Sequence, residues 1–386
     1  MTDTYTGTHR HAQLQDIIDI LEQQQDAKYD IVAPSSQMEY RNGNLIVEGG
    51  AVYFNDEGVG TADAELRPTG QFEEGISTKL DIPRKYMDRM REGVNSIQLL
   101  DQNVNHWLAE EDRNYFIRGF RGSDDPNEIG VARAFLSDKY QLVDHLDVLA
   151  AVLDGTHRSS INVEVGKANL SDRAFYLEIV APEVQTLAPK FLDGYRSPFM
   201  PDGGAHGGPS EGPRVIQAGF LVRNSETGQG AYSLTPRLVV LICNNGMVIN
   251  KEAIRKVHLG SAMDQGEVSW SEETRHHYIE LIKGQTTDAI QYFLSQEYLD
   301  EKVTSIEEQA GQPLTTNTQE RVERVLTKLS YSETERQGIF DLFLTGGMPT
   351  AGGLVQAVTA HAQGVGDPER AYEMEGQAFA LLSQTI

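Results

Sequence analysis

The stretch Ile216–Ile249, IQAGFLVRNSETGQGAYSLTPRLVVLICNNGMVI, decides the fold. Two apolar, β-rich runs flank a polar connection, and Gly228 and Gly230 within it can adopt positive φ at little steric cost. The second run closes on Cys243-Asn-Asn-Gly-Met247, where Asn and Gly mark a tight turn after a buried strand. A long antiparallel hairpin is expected here. Before it, Ile161–Val165 and Ala174–Val180 predict a second hairpin turning near Asn169–Asp172, and Arg133–Tyr140 predicts an apolar strand closed by a polar turn. Between the hairpins, Pro198–Pro213 is rich in Gly and Pro and predicts a surface loop.

Working outward, helical spacing returns on both sides. Leu14, Ile17, Ile18, Ile20 and Leu21 space a helix over His11–Gln25. Short strands are expected at Tyr29–Val32, Met38–Tyr40 and Asn44–Val47, with Asn42-Gly43 as a hairpin turn. Gly49–Gly70 is Gly-rich and acidic and predicts a loop with at most one short strand. Gln71–Leu108 is helical, with Pro83 placed to open a second helix. Asp144–Leu153, Ser271–Leu299, Asn317–Leu329, Ser332–Leu344 and Pro349–His361 continue the helical pattern. The fold class is therefore α+β: a central antiparallel sheet built from hairpins, flanking helices and a C-terminal helical subdomain. The expected division is 1–130 as an N-terminal α+β region, 131–265 as the sheet region with loop 198–213, and 266–386 as the helical region. No repeat of 20 to 50 residues argues for a solenoid.

Several stretches match one family. Asn224, Ser225, Gly228, Gly230 and Ala231, followed by Cys243, Asn245, Gly246 and Met247, form a hairpin tip and turn. Lys79–Met90 reads KLDIPRKYMDRM, and Asn103, Asn105, Trp107 and Leu108 follow it. Together these resemble the phage/plasmid-like family called domain of unknown function 932. The resemblance implies a protein carried by phages, prophages and plasmids; it implies no particular reaction.

Composition narrows the field. A chain of 386 residues, 39% hydrophobic and 23% charged, has the make-up of a globular protein with a large core. One cysteine, Cys243, excludes an internal disulfide and a cysteine zinc cluster, and its apolar strand suits core packing better than nucleophilic chemistry. No leader pattern or membrane-length apolar run appears, so the expected location is the cytoplasm of a bacterial host, with no membrane partner. The net charge of −24, from 33 basic and 57 acidic residues, works against indiscriminate nucleic-acid binding.

Against that background, Lys251, Arg255, Lys256 and His258 form a local basic cluster suited to a phosphate backbone. Arg223 and Arg237 flank the central hairpin and can share a face, and Arg133 and Lys139, with Arg118 and Arg121, can extend the patch. Tyr115, Phe116, Phe120 and Tyr140 lie beside these cations, the combination by which single strands are held, although core packing explains aromatics on strands more often. Enzyme signatures are missing: there is no phosphate-binding G-x-x-x-x-G-K-[ST] loop and no H-E-x-x-H. His276 and His277 are adjacent and face apart, and His9 and His11 lie in an N-terminus expected to be mobile. Asp138, Asp144, Asp147, Glu164 and Glu178 lack the spacing of a metal-dependent nuclease. Gly346-Gly347 and Gly352-Gly353 serve a turn and packing before they serve an anion. The sequence calls for no cofactor and no metal, and more for binding than for catalysis. The leading expectation is a mobile-element DNA-metabolism protein holding single-stranded nucleic acid in recombination or replication. Its hairpins and helices are loosely like those of single-strand annealing proteins, which assemble as homo-oligomeric rings. The alternative is a non-catalytic module that engages a host or phage protein, with acidic surface making the contacts.

Overall fold

Asn42 and Gly43 both adopt positive φ, 52° and 79°, as a two-residue hairpin turn demands. They join β3 (Met38–Arg41) to β4 (Asn44–Asn55), and from this turn a small barrel grows. The computed structural model describes residues 5, 7–55, 58–121, 128–138, 140, 142–192, 194–195, 214–228, 230–241, 245–249, 254–256, 272–314 and 318–384. Loop 198–213, Lys139, Cys243, Lys251 and His258 lie outside them.

The barrel uses β2 (Asp30–Pro34), β4, β5 (Gly58–Pro68), β6 (Asn114–Phe120) and β7 (Gly130–Ser137). β4 pairs with β5, β5 with β7, β7 with β6, β6 with β2, and β2 returns to β4, so the ring closes. Only β5 and β7 run parallel. Three helices stand between β5 and β6: α2 (Gly70–Leu80), α3 (Arg84–Glu92) and α4 (Ile97–Glu110). A closed five-stranded ring with this order, one parallel closure and helices after the third strand has the topology of an OB-type barrel. Ile31, Leu45, Val47, Leu66, Ile117 and Phe135 fill it, and Phe72, Ile76, Leu100, Val104 and Leu108 from the helices plug it.

Gly49–Gly70 is thus a long hairpin and not a loop. Its ladder runs from Leu45↔Leu66 to Asn55↔Gly58. Of its described buried side chains Ala64 is small, which weakens the apolar alternation by which a strand is read.

The second sheet is antiparallel throughout. β1 (His9–Ala12), β8 (Glu164–Leu170), β9 (Phe175–Leu187), β10 (Val215–Asn224), β11 (Tyr232–Val240) and β12 (Asn245–Val248) follow one another, and β13 (Ile254–Lys256) also pairs with β11. His9 and His11 are therefore in an edge strand paired with β8 instead of a loose end. On one face pack α1 (Leu14–Asp26), α5 (His145–Ser159), the short α6 (Pro189–Leu192) and α7 (Glu272–Phe293). The C-terminal layer adds α8 (Gln296–Ala310), α9 (Thr318–Lys328), α10 (Glu333–Gly346), α11 (Ala351–Gly364) and α12 (Pro368–Gln384).

Local chemistry explains the helix ends. Ser295 accepts from the Tyr298 N–H and starts α8, which splits the helix expected over Ser271–Leu299. Ser332 and Glu335 form a reciprocal capping box on α10. The boundary expected at 130/131 falls inside β7, a barrel strand, while β1 and α1 belong to the second sheet. The α+β class holds, with an antiparallel hairpin sheet, flanking helices and a helical C-terminal region. Among the described residues no helix is long and apolar enough to cross a membrane.

Candidate functional site

Arg223 and Arg237 do share a face. Arg237 pairs across β10 with Gly219, four residues from Arg223 on the same strand, so both side chains leave the same side of the sheet. That side is covered by α12. The Arg237 guanidinium donates to both Glu375 carboxylate oxygens at 3.0 Å each and lies 3.0 Å from Glu178. Tyr372 donates its hydroxyl hydrogen to Glu178 at 2.8 Å, and Asn169 donates to the Tyr372 oxygen at 2.7 Å. Arg223 reaches Glu369 at 2.7 Å and the Tyr176 hydroxyl at 3.1 Å. Burial pushes the Glu375 carboxyl above its ordinary range, with Arg237 opposing the rise.

Two glycines of the central hairpin exist for these arginines. A Cβ on Gly246 would overlap the Arg237 guanidinium, and one on Gly230 would overlap that of Arg223. Gly228 has another reason, a φ of +78°.

The rest of the hairpin tip seals the joint between sheet and barrel. Asn224 donates to the Val143 carbonyl at 2.9 Å, and its amide nitrogen is also 2.9 Å from His145 Nδ1. Glu226 accepts the His145 backbone N–H at 2.6 Å and lies 3.2 Å from Arg118 and 3.5 Å from Arg133. Arg118 also holds Asp30 at 2.7 and 3.0 Å and Asp144 at 2.8 Å, and Lys28 holds Asp144 at 3.1 Å. Arg133 is fully buried, with Gln24 at 3.1 Å and the Ser171 carbonyl at 3.3 Å. Burial lowers His145 to about 4, so its ring is neutral at pH 7. Burial raises Asp30 to about 6, against the pull of Arg118. The cavity these groups line has a volume of about 10 Å³, room for about one water and no substrate.

These contacts correct the expected interface. Arg133, Arg237 and Arg118 are internal, each spent on protein carboxylates or carbonyls, and they do not line a groove for phosphate. Tyr115 and Phe120 are likewise core residues. Arg255 and Lys256 sit on β13, opposite Ser233 and Tyr232, and their side chains lie outside the described residues. The carboxylates weighed for a nuclease are dispersed: Glu178 serves Arg237, and Asp144 serves Arg118 and Lys28. Among the described residues no three His, Cys, Asp or Glu side chains are grouped to hold a metal ion.

The α3–α4 hairpin, by contrast, is exposed at the surface. Tyr86 and Trp107 are each 45% exposed, Leu99 50% and Val94 92%. The inner residues of the same helices, Met87, Met90, Leu100, Val104 and Leu108, hold the hairpin on the barrel. Asn103 contacts the Met90 sulfur at 3.7 Å; Tyr86 stands one turn before Met90, and Trp107 one turn after Asn103. Asn105 clamps the barrel edge by accepting from the Tyr40 N–H at 2.6 Å and donating to its carbonyl at 2.9 Å. Arg84 and Arg91 turn inward to Glu73, whereas Lys85 and Arg89 are exposed and make no ion pair among the described residues. Sequence alone reads this stretch only as helical, because helical spacing marks the buried stripe and leaves the opposite one unassigned. No family model matches the chain, and neither a curated protein nor a solved structure matches it.

Proposed function

We propose that the protein is a binding module without chemistry of its own, and that it docks a protein partner through the α3–α4 hairpin. One observation carries this. Among the described residues eleven large apolar side chains are exposed, and four of them (Tyr86, Val94, Leu99 and Trp107) lie within 22 consecutive positions of one hairpin. Scattered singly over a surface, such residues need no explanation, whereas their concentration in one short hairpin is a reason to look for an interaction site there. Tyr and Trp are also the residues on which binding energy concentrates. The test is a Leu99→Asp/Trp107→Ala double variant, compared with the parent in cross-linking to host proteins. A specific partner of the parent should be lost while the melting temperature stays within about 2 °C, since these are surface changes. Retention of that partner by the double variant would overturn the assignment.

A second reading is favoured by the barrel topology, since OB-type barrels commonly hold oligonucleotides. It matches the expectation of a mobile-element protein acting on single strands. Its weakness is charge: the outer face of β3–β5 carries Glu39, Glu48, Asp63 and Glu65, with Arg41 already paired to Glu39 and Glu48. Phosphates are repelled by such a face. Titrating salt against a labelled single-stranded oligonucleotide decides it: tight binding with a steep salt slope supports this reading, and no binding at low salt removes it.

A further inference from the structure

The barrel is an insertion: β2 to β7, with α2–α4, lie in the chain between α1 and α5, and both of those helices pack on the sheet. Barrel and sheet keep separate apolar cores, one around Ile31, Leu45 and Phe72, the other around Leu149, Phe220 and Leu299. Between them lie the charge cluster around Arg118 and one small apolar patch, Ala27, Phe120 and Val131, on which Tyr5 packs. The Tyr5 ring lies flat on Phe120, with centroids 5.1 Å apart and planes inclined by 9°. The Arg133 guanidinium lies over that same Phe120 ring at 5.6 Å, and Phe120 also walls the small cavity of the joint. β1 begins at His9, shortly after Tyr5, and is paired with β8 in the sheet. The N-terminal segment is thus anchored to the sheet at β1 and to the barrel at Tyr5.

We infer that Tyr5 is a latch on the joint. While its ring is stacked on Phe120, the N-terminal segment straps the barrel to the sheet; when the ring leaves, the barrel turns on its two connections and the joint opens. The balance of forces there allows it. Units joined through a polar contact move against each other by default. Lys28, Arg118 and Arg133 match Asp30, Asp144 and Glu226 in number, so opening returns every charge to water and strands none. A buried cluster of this kind adds little net hold over its hydrated members, so a single aromatic stack weighs in the outcome. Among the described residues the Tyr5 hydroxyl makes no hydrogen bond, and the ring alone fastens the strap. The α3–α4 hairpin rides on the barrel, so the latch sets where that surface stands relative to the sheet, whether or not it docks a partner.

Leu136 reports on the joint away from the latch itself. It lies on β7, is 5% exposed, and faces the hairpin tip, where a Cβ on Gly228 would stand 2.6 Å from its Cδ2. Along β7 it is roughly 15 Å from Val131 and the Tyr5 patch. The experiment uses the full chain with Cys243→Ala, which removes the only native thiol, and follows how fast a thiol reagent labels Leu136→Cys. Adding Tyr5→Ala should raise that rate on the order of three- to tenfold, the loss of one aromatic stack. Tyr5→Phe keeps the ring and should label at the parent rate. A second reporter, Val104→Cys in the barrel core, should label equally with and without Tyr5→Ala. An unchanged rate at Leu136→Cys overturns the latch. Equal acceleration at both reporters also overturns it, because Tyr5 then only stabilises the fold as a whole.

Discussion

Two buried charge clusters hold this chain together, and they are balanced differently. At the joint between barrel and sheet, Lys28, Arg118 and Arg133 face Asp30, Asp144 and Glu226, so cations and carboxylates match in number. Under α12, Arg237 alone faces Glu178 and Glu375, with Lys167 acting on Glu375 from farther off. A matched cluster can lose one member and redistribute its hydrogen bonds. The unmatched one depends on a single guanidinium.

The largest expected effect follows directly. Arg237→Met leaves two buried carboxylates facing each other, and breaking a buried pair this way costs about 3–5 kcal/mol. Arg133→Met at the joint leaves Glu226 still within reach of Arg118 at 3.2 Å, so it should cost clearly less. Urea unfolding of both variants compares them. Adding Glu375→Gln to Arg237→Met should recover part of the loss by removing one of the stranded charges. If Arg133→Met proves as damaging as Arg237→Met, the distinction between the clusters is wrong.

That same pair of arginines shows how far the sequence could be read. Asn42-Gly43 and the run Ile216–Ile249 were legible because turn chemistry and strand periodicity are local. Their places on one hairpin allowed Arg223 and Arg237 a shared face, but the register that gives it is seen only in the fold. Their burial was not legible, because the partner that claims Arg237, Glu375, lies 138 positions away on a helix whose own pattern only says that it is amphipathic. An arginine on a strand looks the same in sequence whether it meets a phosphate or an internal carboxylate. The glycines had the same ambiguity: Gly246 reads as a turn residue, yet what it provides is space for a side chain on the neighbouring strand. Conversely, Tyr86 and Trp107 are plain in the sequence, but only the packed helices show that they face outward.

Next in size is a pH effect that separates the clusters. His145 has its ordinary value of 6.5 lowered to about 4, so unfolding binds a proton between those values, and His145 alone would make stability fall on acidification. Asp30 is raised from 3.8 to about 6, so the folded chain holds that proton, and Asp30 alone would make stability rise over nearly the same window. Each contribution approaches about 3 kcal/mol, and they oppose each other, so folding moves a proton from one to the other with little net uptake. His145→Gln should therefore gain stability relative to the parent as pH falls from 7 to 4, and Asp30→Asn should lose it. Under α12, burial raises Glu375, so its contribution is greatest in acid and is lost as pH rises through its folded value. Parallel pH profiles for parent, His145→Gln and Asp30→Asn would show that the joint is not compensated.

The smallest change is a single methyl group. Gly246 does not adopt positive φ, so Gly246→Ala strains no backbone, and its whole cost is the overlap of the new Cβ with the Arg237 guanidinium. With Arg237 2% exposed and held at both carboxylates, the side chain has nowhere to move, and overpacking of this kind costs about 1–3 kcal/mol. Gly230→Ala meets Arg223 instead, whose side chain is 21% exposed and can swing outward, so it should cost less. The coupling is what identifies the cause. In an Arg237→Met background the guanidinium is gone, and Gly246→Ala should become nearly neutral, giving an interaction energy close to the full single-variant cost. Additive costs in that cycle would mean that the glycine answers to the turn after all, and that the arginine merely lies beside it.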